Sequence, residues 1–156
     1  MRRLLLLTAA CCVLSAPAAA QSKVGIRAGV SADPDQFFFG GHVETRPLVE
    51  RLTFRPSAEI GIGDNATLIA LNVEFAYWLT SNRPWSVYVG AGPAINIYSF
   101  DDDDDRPGRG RGDDGDVGGG FNIMVGAEHR DGLFVELKVG AIDSPNLKLT
   151  VGYVLR

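Results

Sequence analysis

Between residues 23 and 155, apolar side chains recur at every second position in run after run, and no segment sustains a helical period. A period of two sends successive side chains to opposite faces of a strand, so the chain is committed to sheet. Clusters of Gly, Pro, Asn and Asp divide the pattern into eight strands, at 23–32, 36–45, 52–63, 66–79, 85–100, 117–130, 133–142 and 146–155. Most are long for a globular sheet and close to the roughly 9–11 residues that a tilted strand needs to cross a bilayer.

The two faces differ sharply. One is apolar in every strand, from Val24, Ile26 and Val30 in the first to Leu149, Val151, Tyr153 and Leu155 in the last, without a charge. The other carries Arg27, His42, Glu44, Arg55, Glu59, Asn72, Glu74, Asn96, Asn122, Glu128, Glu136, Lys138 and Lys148. Glycines sit among them, including Gly25, Gly29, Gly90, Gly126 and Gly152.

Periodicity does not say which face points outward. A soluble lipocalin-like barrel holding a hydrophobic ligand shows the same alternation with its apolar face inside. Three features favour apolar-out. The polar face is rich in glycine, as a narrow lumen crowded by long side chains requires. Its charges nearly balance, and buried charges are tolerable only when paired. Aromatic residues gather near strand ends, with Tyr77, Trp78 and Trp85 about one turn and Tyr98 and Phe100 closing another strand, in the manner of interfacial girdles. The expected fold is therefore all-β: an eight-stranded antiparallel up-and-down transmembrane barrel. Its interior is an ion-pair network of Arg27, Glu44, Arg55, Glu59, Glu74, Glu128, Glu136, Lys138 and Lys148. An eight-stranded barrel is only wide enough for its own side chains, so this interior is expected to be plugged.

Pro56 and Pro93 fall inside strands, where a proline cannot donate to the ladder. Each is expected to mark a bulge or a rim; real edges at these positions would leave the barrel open.

Residues 1–20 read as a cleaved signal peptide. Arg2 and Arg3 precede a short apolar stretch, and Ala18-Ala19-Ala20 is a small-residue cleavage site. Cys11 and Cys12 raise a lipoprotein alternative, but neither has a leucine three places before it. Cleavage after Ala20 leaves 21–156 as one barrel domain and removes both cysteines, so no disulfide or thiolate metal site is expected. It also takes Lys+Arg from 15 to 13 against 19 Asp+Glu, and an acidic chain without a basic stripe argues against nucleic-acid binding.

With both termini on the periplasmic side, the inward turns are 45–51, 80–84 and 130–132, and the outward loops are 32–35, 63–65, 101–116 and 143–145. Only 101–116 is long, and it falls outside, as bacterial barrels prefer.

The pattern across 23–156 resembles the small eight-stranded outer-membrane β-barrel proteins of the OmpA/OmpX-like superfamily. The phrases carrying the resemblance are Trp85-Ser86-Val87-Tyr88-Val89-Gly90-Ala91-Gly92 and the ending Val151-Gly152-Tyr153-Val154-Leu155. Members often end in a Gly-Tyr-x-Phe-like signal read by the assembly machinery; here Leu155 replaces the aromatic residue and Arg156 follows. The resemblance implies a structural or surface-interaction role in the outer membrane. The partners expected are membrane lipids, lipopolysaccharide and, during biogenesis, the barrel-assembly machinery, with the protein a monomer.

Candidate chemistry is sparse. The external loop 101–116, DDDDDRPGRGRGDDGD, holds eight aspartates and three arginines. Asp101, Asp102, Asp103, Asp104, Asp105, Asp113, Asp114 and Asp116 are a weak Ca²⁺ candidate, because that ion takes six to eight oxygen ligands. The spacing is not that of an EF-hand, and a solvated, self-repelling loop is the simpler reading. Arg111-Gly112-Asp113 spells an adhesion tripeptide that this composition readily produces by chance. Eight-stranded lipid A deacylases place a serine two positions after a histidine; here Glu44 follows His42 and Asp131 follows His129. That motif is absent, and neither catalysis nor a cofactor is expected.

Overall fold

The computed structural model describes residues 22–63, 66–80, 84–100, 116–142 and 144–155, with backbone alone at 66, 100 and 116. The proposed signal peptide and nearly all of the acidic loop lie outside them. Eight strands follow one another: β1 (Lys23–Ala32), β2 (Gln36–Glu44), β3 (Leu52–Ile62), β4 (Ala66–Trp78), β5 (Trp85–Phe100), β6 (Asp116–His129), β7 (Leu133–Ile142) and β8 (Leu147–Leu155). Each departs from its sequence-predicted range by at most one residue at either end.

Every strand pairs antiparallel with its sequence neighbours, and β8 returns to β1 with Val24 opposite Leu155 and Ala32 opposite Leu147. The sheet is a closed barrel. Closure gives each strand a partner on both sides, the condition for placing backbone polar groups in hydrocarbon. Ten residues at about 3.3 Å each, tilted by about 40°, raise a wall of about 25 Å, the height of the apolar band in barrels of this kind.

The two prolines mark neither an edge nor a register shift. The β2–β3 pairing runs to His42 opposite Ser57 and resumes where Thr45 N donates to Phe54 O at 3.0 Å. The lapse between them faces Pro56. The β4–β5 pairing lapses in the same way between Asn72–Ala94 and Phe75–Ala91, which brackets Pro93. Each proline withholds one ladder bond while the register continues unshifted on either side. The irregularity lies instead in β6–β7, between Phe121 and Asn122.

The β6–β7 turn, at the termini-bearing end, is tight. In the turn from His129 to Gly132, Gly132 N donates to His129 O at 2.8 Å, and Gly132 has a φ of 107° that favours glycine. At the opposite end Asn146 clasps Asp33, its side-chain amide donating to the carboxylate at 2.5 Å and its backbone N–H to the carbonyl at 3.3 Å.

Candidate functional site in the barrel interior

The apolar face is outside. Ile26, Phe37, Ile95, Ile123 and Val151 are each about half exposed on the outer wall. The charged residues of the alternate positions are inside, with Arg27, Arg55, Glu59, Glu74, Glu136, Lys138 and Lys148 all almost fully buried. A soluble barrel carrying a hydrophobic ligand requires the reverse arrangement.

The inward charges form one connected set. Arg27 reaches from β1 to Glu59 of β3 at 2.9 Å and to Glu136 of β7 at 3.5 Å. Arg55 meets the other oxygen of Glu136 at 3.5 Å and Glu44 at 3.7 Å. Lys138 lies 2.6 Å from Glu74 and 3.9 Å from both Glu59 and Glu136. Lys148 completes the set with an ion pair to Glu59. Lys23, at the termini-bearing rim, joins through Glu44 at 3.2 Å. Counting Lys23, five basic side chains face five acidic ones when Glu128, buried on β6, is included. A neutral total matters because each unpaired ion would carry several kcal/mol of desolvation cost.

Eight of the nine residues expected to form the network are joined by the ion pairs above; the ninth, Glu128, is buried on β6 near the termini-bearing end, opposite Ser86 in β5 and Phe134 in β7. The expected list omitted Lys23 and an entire second component, the large uncharged side chains Phe38, Tyr88, Met124, Phe134 and Val154, all buried within. Tyr88 donates its hydroxyl to Glu136 at 2.7 Å. The Arg55 guanidinium lies 4.6 Å from the Tyr88 ring centroid and 5.5 Å from that of Phe134, and the Lys148 ammonium lies 4.2 Å from that of Phe38. Cations thus have ring faces as well as carboxylates for partners.

A sequence signal for these residues exists in the register. His42 is opposite Gly25, Phe38 opposite Gly29, Met124 opposite Gly90, Tyr88 opposite Gly126 and Phe134 opposite Gly152. A Cβ added at Gly25 would come within 2.1 Å of the His42 ring, and one at Gly126 within 2.3 Å of the Tyr88 ring. Each large inward side chain occupies the space its partner's missing side chain leaves.

Two aromatic assignments need correction. Trp78 is not part of the outer girdle: it faces inward, donating its indole N–H to Thr53 at 3.2 Å and packing 5.0 Å from the Tyr88 ring. Tyr98 alternates in phase with the buried Ala94 and Asn96, so it too is on the inner face. The girdle at the termini-bearing end consists of Tyr77, Trp85 and Tyr153.

A histidine and a serine do come together, on neighbouring strands rather than in one motif: His42 is the register partner of Ser57. Their contacts point elsewhere. His42 Nε2 lies 3.4 Å from Arg55 Nη2, its ring meets Phe134 edge-on at 5.2 Å, and Ser57 accepts a hydrogen bond from Asn72 at 3.0 Å. His129 is at the rim, 3.1 Å from the Asp131 carboxylate. Among the described residues no group of three or more His, Cys, Asp or Glu is arranged to hold a metal ion; the proposed Ca²⁺ ligands lie outside them, apart from the backbone of Asp116.

No protein-family model matches the sequence, and neither does any curated protein. Solved structures do match. The N-terminal β-barrel domain of Pseudomonas aeruginosa OprF superposes with a TM-score of 0.62 at 12% identity, covering 86% of this chain and 96% of that one. Neisserial surface protein A (NspA) superposes with a TM-score of 0.59 at 13% identity, covering 86% and 94%. At such identities the likeness establishes the fold alone, the eight-stranded antiparallel barrel that the OmpA/OmpX-like resemblance implied.

Proposed function

We propose that this chain is an integral protein of a bacterial outer membrane with a structural or surface-interaction role, a plugged interior and no catalytic activity. The observation that carries this reading is the division of the closed sheet into an uncharged apolar exterior and a charge-neutral, ion-paired interior. In lipid that exterior is solvated by acyl chains; in water it would be a continuous apolar surface far beyond the few hundred Å² that soluble monomers expose. Buried charge held by several partners at once favours a rigid filling over a conducting path. The histidine–serine pairing among the described residues, His42 with Ser57, is buried within that filling.

On this reading the protein is exported through its N-terminal leader and inserted by the barrel-assembly machinery. It then stands as a monomer among phospholipid and lipopolysaccharide. Cell-envelope fractionation tests it. The protein should leave outer-membrane fractions only with detergent and migrate differently in gels before and after boiling. Recovery as a soluble periplasmic monomer would overturn the proposal.

A further inference from the structure

The turn joining β2 to β3 carries apolar side chains that no strand places. Leu48 and Val49 are 58% and 68% exposed, Val49 being the most exposed large apolar residue of the described chain. Short turns are normally polar, so two adjacent aliphatic residues at a turn tip have no account in the barrel's own packing. The tip is also held in shape. Leu48 N donates to Leu52 O at 2.7 Å, Leu52 N to Val49 O at 3.0 Å, and Trp78 N to Arg51 O at 2.8 Å. Arg51 takes a φ of 66° to allow this, a conformation that a non-glycine residue adopts at a cost.

Two further observations say what covers the tip. First, it continues the outer wall. Leu52 is opposite Tyr77 in the register, and Leu79, just beyond β4, is exposed beside the Tyr77 and Trp85 girdle. Leu48 and Val49 extend this apolar surface past the girdle, at the end that bears the termini. Second, the tip is flanked by the exposed cations Arg46 and Arg51 against the single carboxylate of Glu50. Apolar residues beside arginines at the edge of an apolar band are the composition of a segment lying in a membrane interface, its cations toward anionic headgroups.

We infer that the Leu48–Val49 tip is inserted in the lipid interface and that Arg46 and Arg51 bind the phosphates of anionic phospholipids there. This deepens the membrane reading above and rests on it. The tip adds to the Tyr77, Trp85 and Tyr153 girdle in fixing the depth of the barrel at the termini-bearing end.

The test uses an environment-sensitive fluorophore on Val49→Cys, in the full chain carrying Cys11→Ser and Cys12→Ser. The protein is reconstituted in phosphatidylcholine bilayers with or without phosphatidylglycerol, and the same label on Leu137→Cys at mid-wall serves as reference. The expected result is blue-shifted emission at position 49, quenched by a headgroup-attached quencher and more strongly so with phosphatidylglycerol. Arg46→Gln with Arg51→Asn should remove the phosphatidylglycerol dependence and leave the reference unchanged; asparagine tolerates the positive φ. Water-exposed emission at 49 with a lipid-buried reference would overturn this inference alone, and would leave the tip as a surface for another protein. Water-exposed emission at both positions would overturn the membrane reading itself. Equal quenching with and without phosphatidylglycerol would refute the phosphate contacts.

Discussion

Tyr88 and Glu136, 48 residues apart in sequence and on strands that do not touch, meet across the barrel interior at 2.7 Å, the phenol donating to the carboxylate. The same carboxylate receives Arg27 and Arg55 on its two oxygens, so one acidic group ties β1, β3, β5 and β7 together.

Removing the phenol hydroxyl in Tyr88→Phe should cost about 1.5–3 kcal/mol, the range for a hydrogen bond to a charged group. Glu136→Gln should cost more, about 3–5 kcal/mol, because Arg27 and Arg55 lose their shared counter-charge. Urea unfolding in detergent micelles measures both, and the double mutant should destabilise by less than the sum. Strict additivity would argue that the two groups do not interact.

Gly25 lies beneath the His42 ring, whose atoms are the three that an added Cβ would meet first, all within 3 Å. Gly25→Ala alone should destabilise by about 1–3 kcal/mol through overpacking. In a His42→Ala background the same substitution should be close to neutral. An equal cost in both backgrounds would show that the strain arises in the backbone.

Pro93 withholds a ladder bond from β4. Pro93→Val supplies an N–H, with a gain of about 0.5–1.5 kcal/mol opposed by about 0.4–1 kcal/mol from a less restricted unfolded chain. The two nearly cancel, so stability should barely move. The new amide should nonetheless exchange slowly with deuterium in the folded barrel; fast exchange would place β4 and β5 farther apart than the register implies.

The carboxylates of Glu59, Glu74 and Glu136 are almost wholly enclosed. A water-soluble carbodiimide with an amine nucleophile should modify Glu50, exposed on its turn, in the folded protein and spare these three until denaturation. Mass mapping of peptides reads the outcome, and native-state modification of Glu74 or Glu136 would contradict an inward orientation.

The candidate site was only partly legible beforehand. Charged inward residues stand out in an otherwise apolar alternation, so Arg27, Glu59 and Lys138 could be named from position alone. Phe38, Tyr88 and Phe134 share the inward parity of their strands but carry no charge to mark them, and only the glycine opposite each shows the space that it fills. That partner is 9 residues from Phe38 and 18 from Phe134, a separation visible only once the register is known. Trp78 was misassigned because its neighbours Tyr77 and Leu79 face outward, and proximity in sequence suggested a common girdle.

Sequence by itself determined the eight strands, their ends and the membership of each face, because a period of two is a local property of the backbone and needs no partner. Tertiary structure decided the rest. Which way the sheet curls, whether it closes past Pro56 and Pro93, and which cation meets which carboxylate depend on distances across the cylinder. Those distances are set by all eight strands together and are encoded in no single one.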